Sequence, residues 1–157
     1  MTKPEIGLDD ASRRGVAAIL NRLLADEYLL CTKTRNFHWN VSGPLFSELH
    51  GFFERQYEEL DSLIDEVAER VRALGETPIA SLAQFLEHTR LKESAGPKPS
   101  PDMIGELLAD HEAIIRQLRR DIDQTDNEYH DSGNQDMLTG WMEQHEKMAW
   151  MLRSMLE

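Results

Sequence analysis

The segment NFHWNVSGPLF, residues 36–46, and the helical pattern that follows it decide the fold. Ser42-Gly43-Pro44 predicts a break between two helices, with Pro44 at the first position of the second helix. Beyond the break, apolar residues recur at helical spacing, at Leu49, Phe53, Leu60, Ile64, Val67, Val71 and Leu74. This spacing predicts an amphipathic helix with one face in the core of its own subunit.

The same helix carries a second, polar stripe, which consists of His50, Glu54, Asp61, Asp65 and Glu69. At about 100° per residue, Glu54, Asp61 and Asp65 fall within about 60° of His50. Glu69 follows Asp65 one turn later on that side. Imidazole and carboxylate are ligands for iron, zinc or manganese, so the stripe indicates metal binding. A solvated acidic face without metal is the alternative that spacing alone leaves open.

One helix cannot close such a site, because His50 and Asp65 are fifteen residues apart. That spacing is about 22 Å along a helix axis, whereas metal–ligand bonds are about 2 Å. An antiparallel, two-fold-related copy of the helix would place His50 opposite Glu69, and Glu54 opposite Asp65. Because a two-fold interface repeats each contact, we expect a dimer with two equivalent sites between subunits.

A second histidine, His38, lies about one turn before the break, and His50 lies under two turns after it. A tight connection at residues 42–44 would let the two imidazoles converge. Between them Trp39 has two interpretations: an amphipathic residue in a subunit contact, or a redox-active ring near the metals.

Three pieces of this pattern together resemble the Dps family, the mini-ferritins. They are His-Trp-Asn at 38–40, His50 twelve residues after His38, and Asp65-x-x-x-Glu69 directly before Arg70. The resemblance covers nearly the whole chain in length and helix order. It implies an all-α, ferritin-like four-helix bundle with a short crossover helix between the second and third helices, forming one domain over residues 1–157.

The resemblance also implies a ligand set. In the family, a ferroxidase site between two-fold-related subunits takes two histidines from one chain and the Asp and Glu of the D-x-x-x-E pair from the other. Carried over, the ligands are His38 and His50, with Asp65 and Glu69 from the neighbour. Glu54 stands where the family commonly has Asp, and its expected role is metal ligand or nearby base.

The implied function is that of a ferroxidase and iron store. A hollow dodecamer, built from two-fold dimers, would oxidise Fe(II) with hydrogen peroxide, keep Fe(III) inside and so protect DNA from oxidative damage. Zinc is an alternative occupant of the same site. Two other classes stay open: a nucleoid-compacting DNA-binding protein, and a structural shell without ferroxidase activity.

Composition and charge bear on these alternatives. The chain has 157 residues, a single cysteine and a formal net charge of −12 with 17 basic residues. Such a chain should repel nucleic acid, and Lys3, Arg13 and Arg14 are too few and too close to acids to form a basic patch. No apolar run approaches the length of a membrane helix and no export signal is visible, so the cytoplasm is the expected location.

The other helices follow from caps and apolar spacing. We expect a first helix from Asp9 or Asp10 to about Val41, a second from Pro44 to Leu74 that stops at Gly75, a short one over Ser81–His88, a third opening at Ser100-Pro101-Asp102, a polar turn over Asp126–Gly133, and a fourth helix to the end.

Several single residues carry predictions of their own. Cys31 is predicted to be inert packing, and His111 a hydrogen-bonded structural histidine. The carboxylates of Asp126, Asp131 and Asp136 are either solvated charges or the lining of a three-fold pore, as in Dps proteins. Because none of the six histidines has glutamate three residues before it, a di-iron site inside each bundle is disfavoured.

Overall fold

The computed structural model describes residues 4–157, which form five α-helices and no strand; Lys3 lies outside this range. The helices are α1 Asp10–Asn40, α2 Phe46–Ala73, α3 Leu82–His88, α4 Ser100–Asn127 and α5 Ser132–Ser154. Contacts join α1 to α2, α4 to α5, and α1 to both α3 and α4. The predicted four-helix bundle with a short crossover helix is therefore confirmed.

The apolar stripes form the core between the long helices. On α2 the predicted stripe is buried at every position except Ile64, which is partly buried and packs against the same core. Fully buried side chains from the other long helices, Leu20, Leu23, Leu107 and Leu138, complete it. None of the helices within residues 4–157 is long and apolar enough to cross a membrane.

The break between α1 and α2 differs in detail from the prediction. Pro44 is not the first residue of the helix, because α2 begins two residues later, at Phe46. Gly43 takes a positive φ of 97°, and the Phe46 N–H donates to the Gly43 carbonyl at 3.1 Å. Pro44 and Leu45 are therefore used to close a turn, in which the proline's fixed φ is equally well accommodated.

The end of α2 is a Schellman motif, as the glycine at position 75 predicts. Gly75 has a φ of 82°. Its N–H donates to the Arg72 carbonyl at 2.9 Å, and the Glu76 N–H donates to the Val71 carbonyl at 3.2 Å. The helix therefore stops where the chain turns away toward the crossover.

The crossover between α2 and α4 contains α3, which has a capping box. The Ser81 hydroxyl accepts from the Gln84 N–H at 3.3 Å and the Gln84 side chain accepts from the Ser81 N–H at 3.2 Å. After α3, the buried Asp26 carboxylate accepts from the Thr89 hydroxyl at 2.9 Å and from the Arg90 N–H at 2.7 Å. These bonds fasten the crossover to α1.

Two helix starts correct the sequence predictions. Ser100 is the first residue of α4 and not its cap; Pro99 is the cap, and its carbonyl accepts from the N–H groups of Asp102 and Met103 at 3.0 and 3.1 Å. The polar turn is also shorter than predicted, since α4 runs to Asn127 and α5 begins at Ser132. Extended geometry at the proline and the side chain of Asp131 supply these caps.

Asp131 caps α5, which bears on the pore prediction. Its carboxylate accepts from the Asn134 N–H at 3.0 Å and the residue is 5 % exposed. A buried cap of this kind is not a free pore carboxylate. Asp126 and Asp136 remain exposed.

Candidate metal centre

The fold brings the two predicted histidine ligands together. His38 lies in the last turn of α1 and His50 in the second turn of α2, on either side of the Gly43 break. Their rings stack with centroids 3.8 Å apart and an angle of 23° between planes. His38 is buried, whereas His50 is half-buried. The predicted convergence of the two imidazoles is confirmed.

Reciprocal hydrogen bonds fix both rings. His38 Nδ1 lies 2.8 Å from the His50 carbonyl oxygen, and His50 Nδ1 lies 2.9 Å from the His38 carbonyl oxygen. Because a carbonyl only accepts, each Nδ1 must carry the proton. When both rings are neutral, each Nε2 keeps its lone pair. This is the arrangement that prepares a histidine for metal binding through Nε2.

Planar groups flank the stacked pair on both sides. The Phe46 ring lies 5.0 Å from the His50 ring, and the Tyr57 ring lies 5.3 Å from the His38 ring at 76°, an edge-to-face contact. The Arg35 guanidinium covers the Tyr57 ring at 4.6 Å. The imidazoles therefore have little freedom to rotate out of position.

Glu54 lies one turn after His50 on α2 and is half-buried. Desolvation, and then the negative charge of Glu54, raise the pKa of Tyr57 above its ordinary value. The Glu54 carboxylate is therefore close to Tyr57, whose ring contacts His38.

The other two predicted ligands do not join the histidines within one chain. Asp65 and Glu69 lie exposed further along α2, and the fifteen residues from His50 to Asp65 span about 22 Å of helix. Within residues 4–157, no group of three or more His, Cys, Asp or Glu side chains is placed to hold a metal ion. One subunit therefore supplies two separate halves of the predicted ligand set.

Exposed apolar side chains lie next to the histidines in sequence, and one of them, Phe46, also contacts the His50 ring. Trp39 is 69 % exposed, and Leu45 and Phe46 are about half exposed. Large apolar side chains grouped on a surface are typical of interaction sites. The exposure of Trp39 fits the subunit-contact interpretation and leaves the redox interpretation open.

A second histidine cluster, which helical spacing alone did not predict, lies inside the bundle. His145 Nε2 donates to the Glu27 carboxylate at 2.8 Å, and His145 Nδ1 lies 2.9 Å from His111 Nδ1. All three residues are fully buried. His111 Nε2 and one Glu27 oxygen have no hydrogen-bond partner. His111 is hydrogen-bonded as predicted, but only through Nδ1, because its Nε2 has no partner.

The spacing contained a signal for this cluster. His145 falls in the apolar series of α5 between Trp141 and Met148, and Glu27 falls in the series of α1 between Leu23 and Leu30. A polar residue in phase with a core stripe is predicted to be buried, and a buried charge needs a partner. The partners come from different helices, which is why spacing alone did not pair them.

Cys31 is buried and its thiol points to the Tyr57 carbonyl, 3.6 Å away. Burial raises the pKa of the thiol to about 11. A thiol that stays protonated at neutral pH is a poor nucleophile. Cys31 is therefore packing, as predicted.

Comparison with known proteins assigns the fold to a family. A ferritin-like domain model matches residues 17–157. A low temperature-induced protein of Nostoc sp. is 50 % identical over 158 residues, covering 100 % of this chain and 88 % of its own. DNA protection during starvation protein 2 of Bacillus anthracis is 38 % identical over 141 residues, covering 90 % of this chain and 96 % of its own.

A solved structure agrees in fold and in sequence. The Dps protein of Vibrio cholerae, described as a ferritin-like diiron-carboxylate protein, superposes with a TM-score of 0.93 at 31 % identity. The match covers 100 % of this chain and 98 % of that one. The bundle, the crossover helix and the sequence identity all agree, and the chain belongs to the Dps family of ferritin-like proteins.

Proposed function

We propose that this chain is an iron-storing mini-ferritin that oxidises Fe(II) at sites shared between two subunits. The observation that carries the proposal is the reciprocal hydrogen bonding of His38 and His50, at 2.8 and 2.9 Å. It leaves both Nε2 lone pairs available for a metal. The proposal is also supported by membership of a ferritin-like family.

The proposed site combines His38 and His50 of one chain with Asp65 and Glu69 of the partner subunit. Glu54 would serve as a further ligand or as a nearby base. Two observations support this pairing. Asp65 and Glu69 lie about 22 Å or more along α2 from His50 of their own chain, and exposed apolar side chains, Trp39 among them, lie next to the two histidines in sequence.

Stacking of the rings favours two metal ions per site. The lone pair of an imidazole lies in its ring plane, and two nearly parallel planes 3.8 Å apart cannot both direct their lone pairs at one ion. Each histidine would therefore hold its own ion, at the spacing of about 3.5–4 Å that is usual in two-metal sites. The mixed nitrogen and oxygen ligands suit Fe(II), and they would also accept zinc.

Two ions match the electron demand of hydrogen peroxide, the oxidant that we propose. Each Fe(II) gives one electron, the O–O bond breaks, and two protons complete two water molecules. Because both electrons reach the same peroxide, no hydroxyl radical is released. The Fe(III) produced would collect inside a hollow homo-oligomer, which we propose to be a dodecamer with an acidic interior.

Complementation between two defective subunits tests the shared site. One chain carries His50→Ala and the other carries Asp65→Ala with Glu69→Ala. Each alone should lose peroxide-dependent Fe(II) oxidation. Oligomers co-assembled from equal amounts should recover about a quarter of the wild-type rate, since half of the random dimers are mixed and each mixed dimer has one intact site of two.

Controls give the result its meaning. Native mass spectrometry of wild type co-assembled with the Asp65→Ala, Glu69→Ala chain shows whether the chains mix, because the oxidation rate would be half of wild type with or without mixing. Anaerobic Fe(II) titration measures binding without oxidation. Mixed oligomers that remain inactive although wild type mixes normally would contradict the shared site. A protein that binds no Fe(II) at all would instead be a structural shell.

A further inference from the structure

Tyr57 occupies a position beside the histidine pair that no ligand role explains. We propose that Tyr57 is a positioning residue that holds the His38 imidazole in its metal-binding orientation through an edge-to-face ring contact. The inference rests on the proposed function of His38 as a ligand. It assigns a role to the aromatic ring of Tyr57 and none to its hydroxyl.

The contacts of His38 define what the ring has to do. Its Nδ1 is fixed by the His50 carbonyl and its ring stacks on that of His50. One hydrogen bond still allows the plane to tilt about the line that joins donor and acceptor. The Tyr57 ring, 5.3 Å away at 76°, supplies a second fixed plane that opposes this tilt. Edge-to-face pairs of this kind are favourable beyond the area they bury.

Tyr57 is itself held in place from outside. The Arg35 guanidinium lies 4.6 Å over its ring, and the same guanidinium lies 3.8 Å from the Asp61 carboxylate. Arg35 and His38 are one turn apart on α1, and Tyr57 and Asp61 are one turn apart on α2. The contacts from Asp61 through Arg35 and Tyr57 to His38 therefore join α1 and α2 next to the proposed ligand His38.

The orientation of the His38 ring matters because a ligand binds a metal only when its lone pair is directed at the ion. A small misorientation of a side chain that contacts the metal weakens metal binding even when that side chain is still present. His38 lies in the last turn of α1, two residues before that helix ends at Asn40. Tyr57 is half-buried and packs against the core, so we expect its loss to lower the stability of the fold modestly and to disturb the orientation of His38 as well.

Cobalt binding by the assembled protein tests this inference without relying on oxidation. Co(II) is the probe, because its visible absorption reports both affinity and ligand geometry. Tyr57→Leu and Tyr57→Met, which remove the ring, should weaken Co(II) binding roughly 3- to 10-fold, the range of one aromatic contact. Their absorption bands should also change shape. Tyr57→Phe keeps the ring and should match wild type.

A matched control separates positioning from general packing. Tyr28→Leu removes another half-buried tyrosine, stacked on Phe85 at 4.1 Å and away from the histidines. It should lower the melting temperature about as much as Tyr57→Leu does, with wild-type cobalt affinity and spectrum. An equal loss of affinity in this control would overturn the proposal.

The remaining outcomes are also decisive. Wild-type affinity and spectrum in both ring-free variants would overturn the positioning role, and so would a defect in Tyr57→Phe equal to that in Tyr57→Leu. His38→Ala and His50→Ala serve as references in the same titration. If these two leave cobalt binding unchanged, the ligand assignment fails; if they abolish it while Tyr57→Leu does not weaken it, only the present inference fails.

Discussion

Hydrogen-bond partners decide what each histidine of this chain can do. His38 and His50 donate from Nδ1 to backbone carbonyls, which leaves Nε2 of each ring without an internal partner. His145 has both nitrogens occupied, by Glu27 and by His111, deep in the core. The first pair is suited to bind a metal ion, whereas the second ties α1, α4 and α5 together.

Burial of His111 should make the fold sensitive to acid. Burial, and then the neighbouring His145, hold the pKa of His111 well below 6.5. The unfolded chain therefore takes up a proton below about pH 6.5 that the folded chain does not bind until much lower pH. Protonation of His111 in the unfolded chain has no effect on the free energy of unfolding above pH 6.5. Below that pH it lowers the free energy of unfolding, by at most about 1.4 kcal/mol per pH unit.

His111→Leu tests this contribution of His111 to the pH dependence of stability. The variant should lose some stability at pH 7.5, because His145 Nδ1 loses its partner, but its unfolding free energy should fall less steeply between pH 6.5 and 5. Urea unfolding at several pH values measures the slope. His88→Gln, at an exposed position, is the control and should retain the wild-type slope. A slope in His111→Leu identical to that of wild type would contradict a neutral buried His111.

At the scale of elements, a glycine in the first half of α1 marks a close helix contact. A Cβ added at Gly15 would lie 2.6 Å from the Tyr129 hydroxyl oxygen and closer still to two ring carbons. Tyr129 follows the end of α4, so its ring packs across α1 at this point. Glycine weakens the helix but permits the contact, since no larger side chain fits under the ring.

The contact reverses the usual effect of alanine. Glycine to alanine inside a helix normally stabilises by about 1 kcal/mol, but Gly15→Ala should destabilise by about 1–3 kcal/mol, because the ring must move. Gly105→Ala in α4, where an added Cβ meets nothing within 4 Å, should instead stabilise. Thermal unfolding measures whether the melting temperature of each variant is lower or higher than that of wild type. Stabilisation by Gly15→Ala would show that the Tyr129 ring moves aside freely.

At the scale of the whole molecule, the net negative charge favours cation binding and disfavours DNA binding. The chain has 29 acidic and 17 basic residues, an excess of twelve acids. Arg13, one of the three N-terminal basic residues considered, is 5 % exposed and donates to Asp10 and to the Leu74 carbonyl. The structure thus removes one cation from the already small basic set near the N-terminus.

Direct DNA binding should accordingly be weak or absent. Affinity for duplex DNA depends on lysine and arginine that displace condensed counterions, and a closed oligomer would multiply the acidic excess. A gel-shift experiment at about 0.15 M salt, without divalent cations that could bridge acids to phosphates, should show no retarded complex. A shifted band at submicromolar protein would show that the protein binds DNA despite its net charge.

The sequence by itself determined the helices and the faces that they present. Apolar spacing predicted the buried stripe of α2, Gly75 its end, Ser81 the cap of α3, and the break after Val41 the approach of two histidines. These features follow from local rules, because a periodicity or a cap involves residues within a few turns of one another. The predicted roles of Pro44 as the first residue of α2 and of Ser100 as the cap of α4 were wrong, because several neighbouring residues could close the same turn.

Only the tertiary structure decided which side chains meet across helices. The bond from His145 to Glu27 joins residues 118 positions apart, and the contact of Tyr129 with Gly15 joins the connection between α4 and α5 to α1. Periodicity gives the face of a helix but not its axial position relative to its neighbours, which the packing of whole helices sets. For the same reason, the reciprocal bonds that orient His38 and His50 could be predicted only as proximity and not as geometry.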